Sequence, residues 1–359
     1  MKIALIGTRG IPNNYGGFEQ FAQYLSEGLC QIGHEVHVYN SHNHIYQNNK
    51  WNEVNIIHCF DPEFKLGTVG QFIYDLNCIL DSRKRNFDVI LQLGYTSSSV
   101  WNWLFDKKAK IFTNMDGLEW KRSKFSRSVS LFLKYAESLA VKHSDVLISD
   151  SIAIQEYLNK KYSAKSNYIP YGANVFQHPN KTYLNEFKLK PYGYDMLVAR
   201  IEPENNIATI INAFINSKVS RNLLVIGNMN TKLGKELKSK IKDNRVIFLG
   251  YVSQMNKLNN LRYFSNLYFH GHSVGGTNPS LLEAMASNSL ICAHKNKFNS
   301  SILSDDAIYF SNNDELIKII QSTRKSNFKH FCSNNLNKIK SIFNWDKIIS
   351  DYNQLLTQF

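Results

Sequence analysis

Residues suited to phosphate and sugar chemistry are concentrated in Gly271-His272-Ser273-Val274-Gly275-Gly276-Thr277-Asn278-Pro279-Ser280-Leu281-Leu282-Glu283. Gly275 and Gly276 remove Cβ atoms where the backbone must turn, so amide N–H groups at the positive end of a following helix can point at an anion. Asn278 is the natural N-cap of that helix and Pro279 its first residue. Glu283, one turn further on, is a poor phosphate ligand and a good acceptor for neighbouring sugar hydroxyls. Phosphate beside hydroxyls means a nucleotide or a nucleotide sugar. The same residues also suit an ordinary strand-to-helix turn with a solvated glutamate.

Three further stretches set charge or amides beside strand ends. Gly7-Thr8-Arg9-Gly10-Ile11-Pro12-Asn13-Asn14-Tyr15-Gly16-Gly17-Phe18-Glu19 follows the first apolar strand. Its glycines do not spell GxGxxG, and the second strand ends in Tyr39-Asn40 without an acid for an NAD ribose, which disfavours a dinucleotide site. Gly16 and Gly17 open a helix and offer a second set of amides; Glu19 in its first turn either complements the dipole or binds a ligand. Asp116, before Gly117-Leu118-Glu119-Trp120-Lys121-Arg122, stands where a catalytic or sugar-binding carboxylate belongs, and equally where a turn aspartate does. Arg200 leads into Ile201-Glu202-Pro203-Glu204-Asn205-Asn206 and can grip two diphosphate oxygens at once; a salt bridge to Glu202 or Glu204 is its competing use.

Groups held at strand ends require parallel sheets. Apolar runs at residues 2–6, 35–39, 54–59, 88–93, 110–113, 145–149 and 166–169 alternate with helical patterns at 18–32, 69–83, 98–105, 126–143 and 151–160. Residues 171–192 contain Gly172, Pro179 and Pro191 and lose any period. A second series has strands at 195–199, 223–226, 246–249, 266–270, 290–293 and 307–310, with helices near 204–215, 231–241, 254–262, 279–287 and 314–322. The expectation is an α/β chain of two doubly wound, Rossmann-like domains, 1–172 and 194–342, joined by a linker at 173–193. Residues 343–359 should form a helix packing back on the body, and the ligand should lie in a deep cleft between facing strand ends.

The chain of 359 residues is long enough for two such domains, and its formal charge of +13 suits an acidic partner such as nucleic acid, anionic lipid or a phosphorylated substrate. Clusters at Arg83-Lys84-Arg85, Lys107-Lys108-Ala109-Lys110 and Lys121-Arg122-Ser123-Lys124 fit a membrane or polyanion surface, or simply solvated faces. The five cysteines are isolated, without CxxC or Cys/His ligand spacing, and read as reduced core residues. No signal-peptide pattern and no apolar run of about eighteen residues occurs, so the expected location is cytoplasmic, with any membrane contact peripheral, on the inner face of the plasma membrane.

Over nearly its whole length the chain resembles the retaining GT-B glycosyltransferases, which use nucleotide-sugar donors. The likeness is carried by the glycine loop after the first strand, by Arg200-Ile201-Glu202-Pro203-Glu204, and by Leu281-Leu282-Glu283-Ala284-Met285 after the glycine turn. The loop Gly7 to Glu19, the stretch Asp116 to Arg122 and Gly275-Gly276-Thr277-Asn278-Pro279 are similar to a bacterial subgroup of rhamnosyltransferases of capsule and exopolysaccharide assembly. The resemblance implies a hexosyltransferase moving L-rhamnose from dTDP-rhamnose, with retention, to a saccharide or an undecaprenyl-diphosphate-linked saccharide, and no nucleic acid partner. UDP-hexose and UDP-N-acetylhexosamine are the alternative donors; a non-catalytic nucleotide- or polyanion-binding module is the rival of another class.

By position, the resemblance implies that Gly16 and Gly17 face the donor phosphate and that Arg200 neutralises the diphosphate. Val274, Gly275, Gly276, Thr277 and Asn278 would hold the donor by backbone amides, and Glu283, matching the second glutamate of an E-x7-E motif, would bind the nucleotide's sugar. Asp116 would orient the acceptor or the transferred sugar, and His272 would bond to donor hydroxyls. The motif's first glutamate falls on Gly275, and the lysine that accompanies the diphosphate arginine falls on Asn205. That chemistry requires no metal or other cofactor, in keeping with the lack of an Asp-x-Asp motif.

Overall fold

The computed structural model describes residues 1–14, 16–122 and 124–358; Tyr15 of the glycine loop and Ser123 of the third basic cluster lie outside the described residues, as does Phe359. Contacts divide the chain into two compact units. Met1–Lys121, Phe125–Gly172 and Trp345–Phe359 form the first, and Arg122–Lys124 with Ala173–Asn344 form the second.

Unit 1 is a sheet of β1 (Lys2–Ile6), β2 (Glu35–Ser41), β3 (Lys50–Trp51), β4 (Val54–Cys59), β5 (Val89–Leu93), β6 (Lys110–Asn114), β7 (Val146–Ser149) and β8 (Asn167–Tyr168). Their order is β3-β4-β2-β1-β5-β6-β7-β8, parallel except for β3, a two-residue antiparallel edge that no sequence pattern announces. Apolar residues at successive positions make these strands: Ile3, Ala4, Leu5 and Ile6 are all fully buried, as a sheet covered on both faces demands. The covering helices include α1 (Gly17–Gln31), α2 (Glu63–Leu66), α3 (Thr68–Ser82), α4 (Arg127–His143) and α5 (Ile152–Tyr162). The helix expected at 98–105 is a 3-10 helix, Ser99–Leu104, with non-helical angles at Trp101.

The C-terminal helix, Trp345–Thr357, belongs to this unit. It closes on α1 where Gly28 leaves space, since a Cβ there would lie 2.3 Å from Ile349 Cδ1. Trp345 stacks on Tyr24 with ring centroids 4.5 Å apart.

Unit 2 has β9 (Tyr194–Val198), β10 (Asn222–Ile226), β11 (Val246–Gly250), β12 (Tyr268–His270), β13 (Ile291–His294) and β14 (Ile308–Phe310), all parallel, in the order β11-β10-β9-β12-β13-β14. Its helices are α6 (Ile207–Ser217), α7 (Lys232–Lys240), α8 (Met255–Phe264), α9 (Pro279–Ala286), α10 (Lys297–Leu303), α11 (Asn313–Ser322) and α12 (Lys329–Ser341). The sequence pattern misses α10, which is short, and α12, whose inward positions Cys332, Asn335 and Ile339 are too sparsely apolar to show a stripe. Residues 173–193 cluster with this unit and hold a 3-10 helix, Lys181–Phe187.

Strand order determines where ligands can sit. In each unit the direction of winding reverses between two neighbouring strands, β1 and β5 in unit 1 and β9 and β12 in unit 2. The loops leaving the carboxyl ends of such a pair diverge to opposite faces and leave a crevice. Those loops carry the glycine stretch after β1, Arg200 after β9 and His272 after β12.

Candidate active site

In unit 2, β9 and β12 run side by side, with Leu197 opposite Phe269, and the two loops that leave them are sewn together. Ser273 donates to the Glu204 carbonyl through both its N–H (3.0 Å) and its Oγ (2.8 Å), and Asn206 Nδ2 donates to the Gly271 carbonyl (2.8 Å). Gly271 must be glycine, because a Cβ would lie 2.2 Å from the Asn205 carbonyl oxygen. Asn205, expected to touch the donor, is 3 % exposed and donates its amide to the Arg200 carbonyl at 2.7 Å. In this arrangement its amide shapes the loop that carries Arg200.

The turn into α9 forms as anticipated. Asn278 Oδ1 accepts from the N–H groups of Ser280 (2.9 Å) and Leu281 (3.3 Å), with Pro279 in the first turn. The cap thus takes the Ser280 and Leu281 amides, and the turn ahead of it, Val274 to Thr277, precedes the capped helix. Gly275 has φ +151 with open space where a Cβ would stand, so its glycine answers to backbone conformation and leaves room for a ligand. Thr277 is buried, while Val274 and Gly276 are half-buried.

His272 stacks on His270, with ring centroids 4.3 Å apart and planes 12° apart. Its carbonyl accepts from Asn296 Nδ2 (2.9 Å) and Asn299 Nδ2 (3.0 Å), which fixes the loop from the β13 side. Burial first, then the charges of Arg200 and Arg122, bring the His272 pKa down to about 3, so the imidazole is neutral and lies in the field of Arg200. The glutamates near Arg200 are shared with other cations. Lys124 Nζ lies 3.0 Å from Glu202, and Arg122 Nη1 lies 3.7 Å from both Glu202 and Glu204. Burial pushes the Glu202 carboxyl up, but Arg200, Lys124 and Arg122 together hold it below the usual range. Arg200 itself is exposed.

Glu283 is half-buried on α9, with its Oε2 accepting from Arg262 Nη2 at 2.6 Å. Arg262 has 0 % exposure, and its Nη1 also donates to Asn259 (2.8 Å). A fully buried guanidinium behind this carboxylate fixes the direction in which it faces. Sequence reasoning missed it, since the partners are 21 residues apart on different helices.

In unit 1, Gly16 caps α1 at φ +130, and a Cβ there would lie 1.9 Å from Glu19 Oε2. Glu19 Oε1 accepts from the Arg9 N–H at 2.9 Å, so this carboxylate ties the glycine loop to the start of α1. Gly17 is the first residue of α1. The loop is fixed from its other side by Asn40, which exchanges hydrogen bonds with Ile11 N (3.0 Å) and Ile11 O (2.8 Å). Asp116 follows β6 in a left-handed conformation, φ +46, its N–H donating to Asn114 Oδ1 (3.0 Å). Its loop ends at Trp120, whose Nε1 donates to the buried Glu137 (3.1 Å), a carboxylate also bonded to Tyr157, Tyr162 and Lys161. Gly16, Gly17, Glu19 and Asp116 thus belong to one unit, and Arg200, Asn205, His272, Val274–Asn278 and Glu283 to the other.

Residues 1–174 match the family described as domain of unknown function DUF1972, and residues 192–332 match the family Glycosyl transferases group 1. Sucrose-phosphate synthase from Thermosynechococcus elongatus superimposes with a TM-score of 0.80 at 18% identity, over 99% of this chain and 98% of that one. HepE from Anabaena, solved in complex with UDP-glucose, gives 0.78 at 14% identity over 100% of both chains. WaaG, a glycosyltransferase involved in lipopolysaccharide biosynthesis, gives 0.72 at 12% identity over 99% of this chain and 100% of that one. No curated protein matches the chain in sequence. At these identities the likeness to solved structures establishes the fold, a two-domain α/β GT-B architecture with parallel Rossmann-like sheets. The family match adds support for a group 1 glycosyltransferase.

Proposed function

From a group 1 glycosyl transferase domain over residues 192–332, we propose that the chain is a retaining glycosyltransferase of cell-surface polysaccharide assembly, acting on a saccharide or undecaprenyl-diphosphate-linked acceptor. The observation that carries the reading is the joining of the β9 and β12 loops at the switch point of unit 2. It gathers Arg200, His272 and the turn 274–278, with Glu283 one helical turn away. In this assignment Arg200 and the turn's amides meet the charge of the diphosphate, and Glu283, held by Arg262, accepts from the nucleotide's sugar hydroxyls. Asp116 of unit 1 is assigned to the acceptor or the transferred sugar.

In the proposed reaction the bond from the sugar's anomeric carbon to the diphosphate oxygen breaks through an oxocarbenium-like state. The acceptor oxygen bonds to the same face of that carbon, and its proton passes to the departing diphosphate. Charge stabilisation by Arg200 and positioning supply the catalysis, so the scheme assigns no step to a metal.

L-Rhamnose from dTDP-rhamnose is the donor the motif resemblance favours. A UDP-hexose donor is the second reading, favoured by the UDP-glucose complex of HepE on the same fold. A panel of nucleotide sugars with a lipid-linked or synthetic glycoside acceptor, the product's anomeric configuration being read by NMR, decides between them. Tight binding without turnover across a broad acceptor panel would indicate a non-catalytic module. Arg200→Ala should lower kcat/KM roughly hundredfold, the scale of losing one charge-stabilising donor, and Glu283→Ala roughly tenfold or more through lost contacts to the sugar hydroxyls. Wild-type rates in both would remove this site assignment.

We further propose peripheral contact with an anionic membrane through unit 1. None of the described helices is long and apolar enough to cross a membrane. Val69 on α3, Trp103 on the 3-10 helix Ser99–Leu104, and Leu131 and Tyr135 on α4 are exposed apolar side chains on elements that pack against one another. Exposed Lys107, Lys108 and Arg127 lie on or next to the same elements.

A further inference from the structure

We propose that His270 is a specificity-determining residue: with His272 it reads a hydroxyl of the donor's glycosyl group. This rests on the glycosyltransferase reading above and adds to it a residue that no motif singles out.

His270 is the last residue of β12 and is 1 % exposed, yet neither of its ring nitrogens has a hydrogen-bond partner among the described residues. Native proteins satisfy nearly all such groups, so two orphaned nitrogens on one buried ring call for a missing partner. The ring is not isolated from the site. It stacks on His272, whose Nδ1 is likewise buried and unpartnered. Both rings line one small cavity with Gly275, Gly276, Asn278 and Phe298. The glycine turn assigned to the diphosphate therefore forms one wall of this cavity, and the imidazoles form another.

The cavity's size and chemistry narrow the occupant. Its volume of about 10 Å³ accommodates one water-sized group, which is the size of a hydroxyl. A neutral imidazole offers one N–H donor and one bare nitrogen acceptor. A hydroxyl also donates and accepts, so it can serve both kinds of nitrogen presented here. A carboxylate or phosphate oxygen only accepts and would leave the bare nitrogens unsatisfied. The ligand class this favours is a sugar with a free hydroxyl at the reading position.

The test compares each nucleotide with its sugar conjugate. Calorimetric Kd values are measured for UDP, UDP-glucose, dTDP and dTDP-rhamnose on wild type, His270→Phe and His270→Gln. Loss of the hydroxyl contact should weaken the preferred nucleotide sugar roughly tenfold in His270→Phe, with the matching diphosphate unchanged; His270→Gln, whose amide also donates and accepts, should recover most of it. A second measurement holds even if His270→Phe folds poorly. Singly deoxygenated analogues of the preferred donor should include one that binds wild type about tenfold more weakly and His270→Gln with a smaller penalty. Equal losses for diphosphate and sugar conjugate, or no loss in His270→Phe, would overturn the inference and leave the transferase reading standing; the latter outcome would mean that the nitrogens meet water only. Failure of wild type to bind these four compounds, UDP-galactose and UDP-N-acetylglucosamine would remove both.

Discussion

At the level of single residues, the carboxylate proposed to bind the nucleotide's sugar is held by a charge that is entirely out of solvent. Arg262 donates to Glu283 at 2.6 Å from a position with 0 % exposure. Removing the guanidinium takes a partner from half-buried Glu283 and from Asn259. Arg262→Met should therefore lower Tm. Arg262→Lys should retain most of the stability but lose the planar, two-pronged hold that aims Glu283. If Glu283 serves a ribose, Arg262→Lys should weaken binding of UDP more than that of its 2′-deoxy analogue, and equal weakening of both would separate Arg262 from nucleotide recognition. Side chains of this kind are hard to read from sequence. Asn278 and Pro279 act on the backbone beside them, so their spacing declares their role. Arg262 acts on a partner 21 residues away, and His270 matters because of what its ring lacks, a property that exists only once the chain is folded.

At the level of elements, legibility follows burial geometry. A parallel strand covered on both faces is a continuous apolar run, so β1, β5, β9 and β12 stand out in the sequence. Two-residue β3 and four-residue α2 are too short to carry any period, and α12 buries Asn335 on its inner face. The proposed site lies at the join between elements, the turn from β12 into α9, where one residue occupies two settings. Asn278 caps α9 by accepting two N–H groups and also lines the small cavity beside the turn. The two roles can be separated by charge. Asn278→Ala loses the cap and should cost about 1 kcal/mol in stability. Asn278→Asp keeps an oxygen acceptor at a position where helices favour negative charge, so Tm should hold. That same charge would then face the donor's diphosphate, and kcat/KM should fall at least about tenfold, the effect of a like charge at short range in a partly desolvated site. Retention of full activity by Asn278→Asp would take the turn out of the diphosphate site.

At the level of the whole molecule, a formal charge of +13 is far more than one diphosphate requires. The three basic clusters are not equivalent once folded. Arg122 and Lys124 are paired with Glu202 and Glu204 inside unit 2, and reversing them would break those pairs whatever the membrane does. Lys107 and Lys108 on the loop before β6, and Arg127 at the start of α4, are exposed and lie on or beside the elements that display Val69, Trp103, Leu131 and Tyr135. An apolar patch flanked by cations suits an anionic bilayer, where each basic residue near the surface contributes about 1 kcal/mol and the attraction decays within a Debye length. The triple reversal Lys107→Glu, Lys108→Glu, Arg127→Glu should therefore abolish co-sedimentation with phosphatidylglycerol vesicles at low salt while leaving turnover of a soluble acceptor intact. Trp103→Ser should weaken the same binding in a way that added salt does not reproduce, because the apolar contribution is not screened. Wild-type co-sedimentation by the triple variant would mean that the charge of unit 1 is a solvated surface, and that the acceptor meets this enzyme without help from the bilayer.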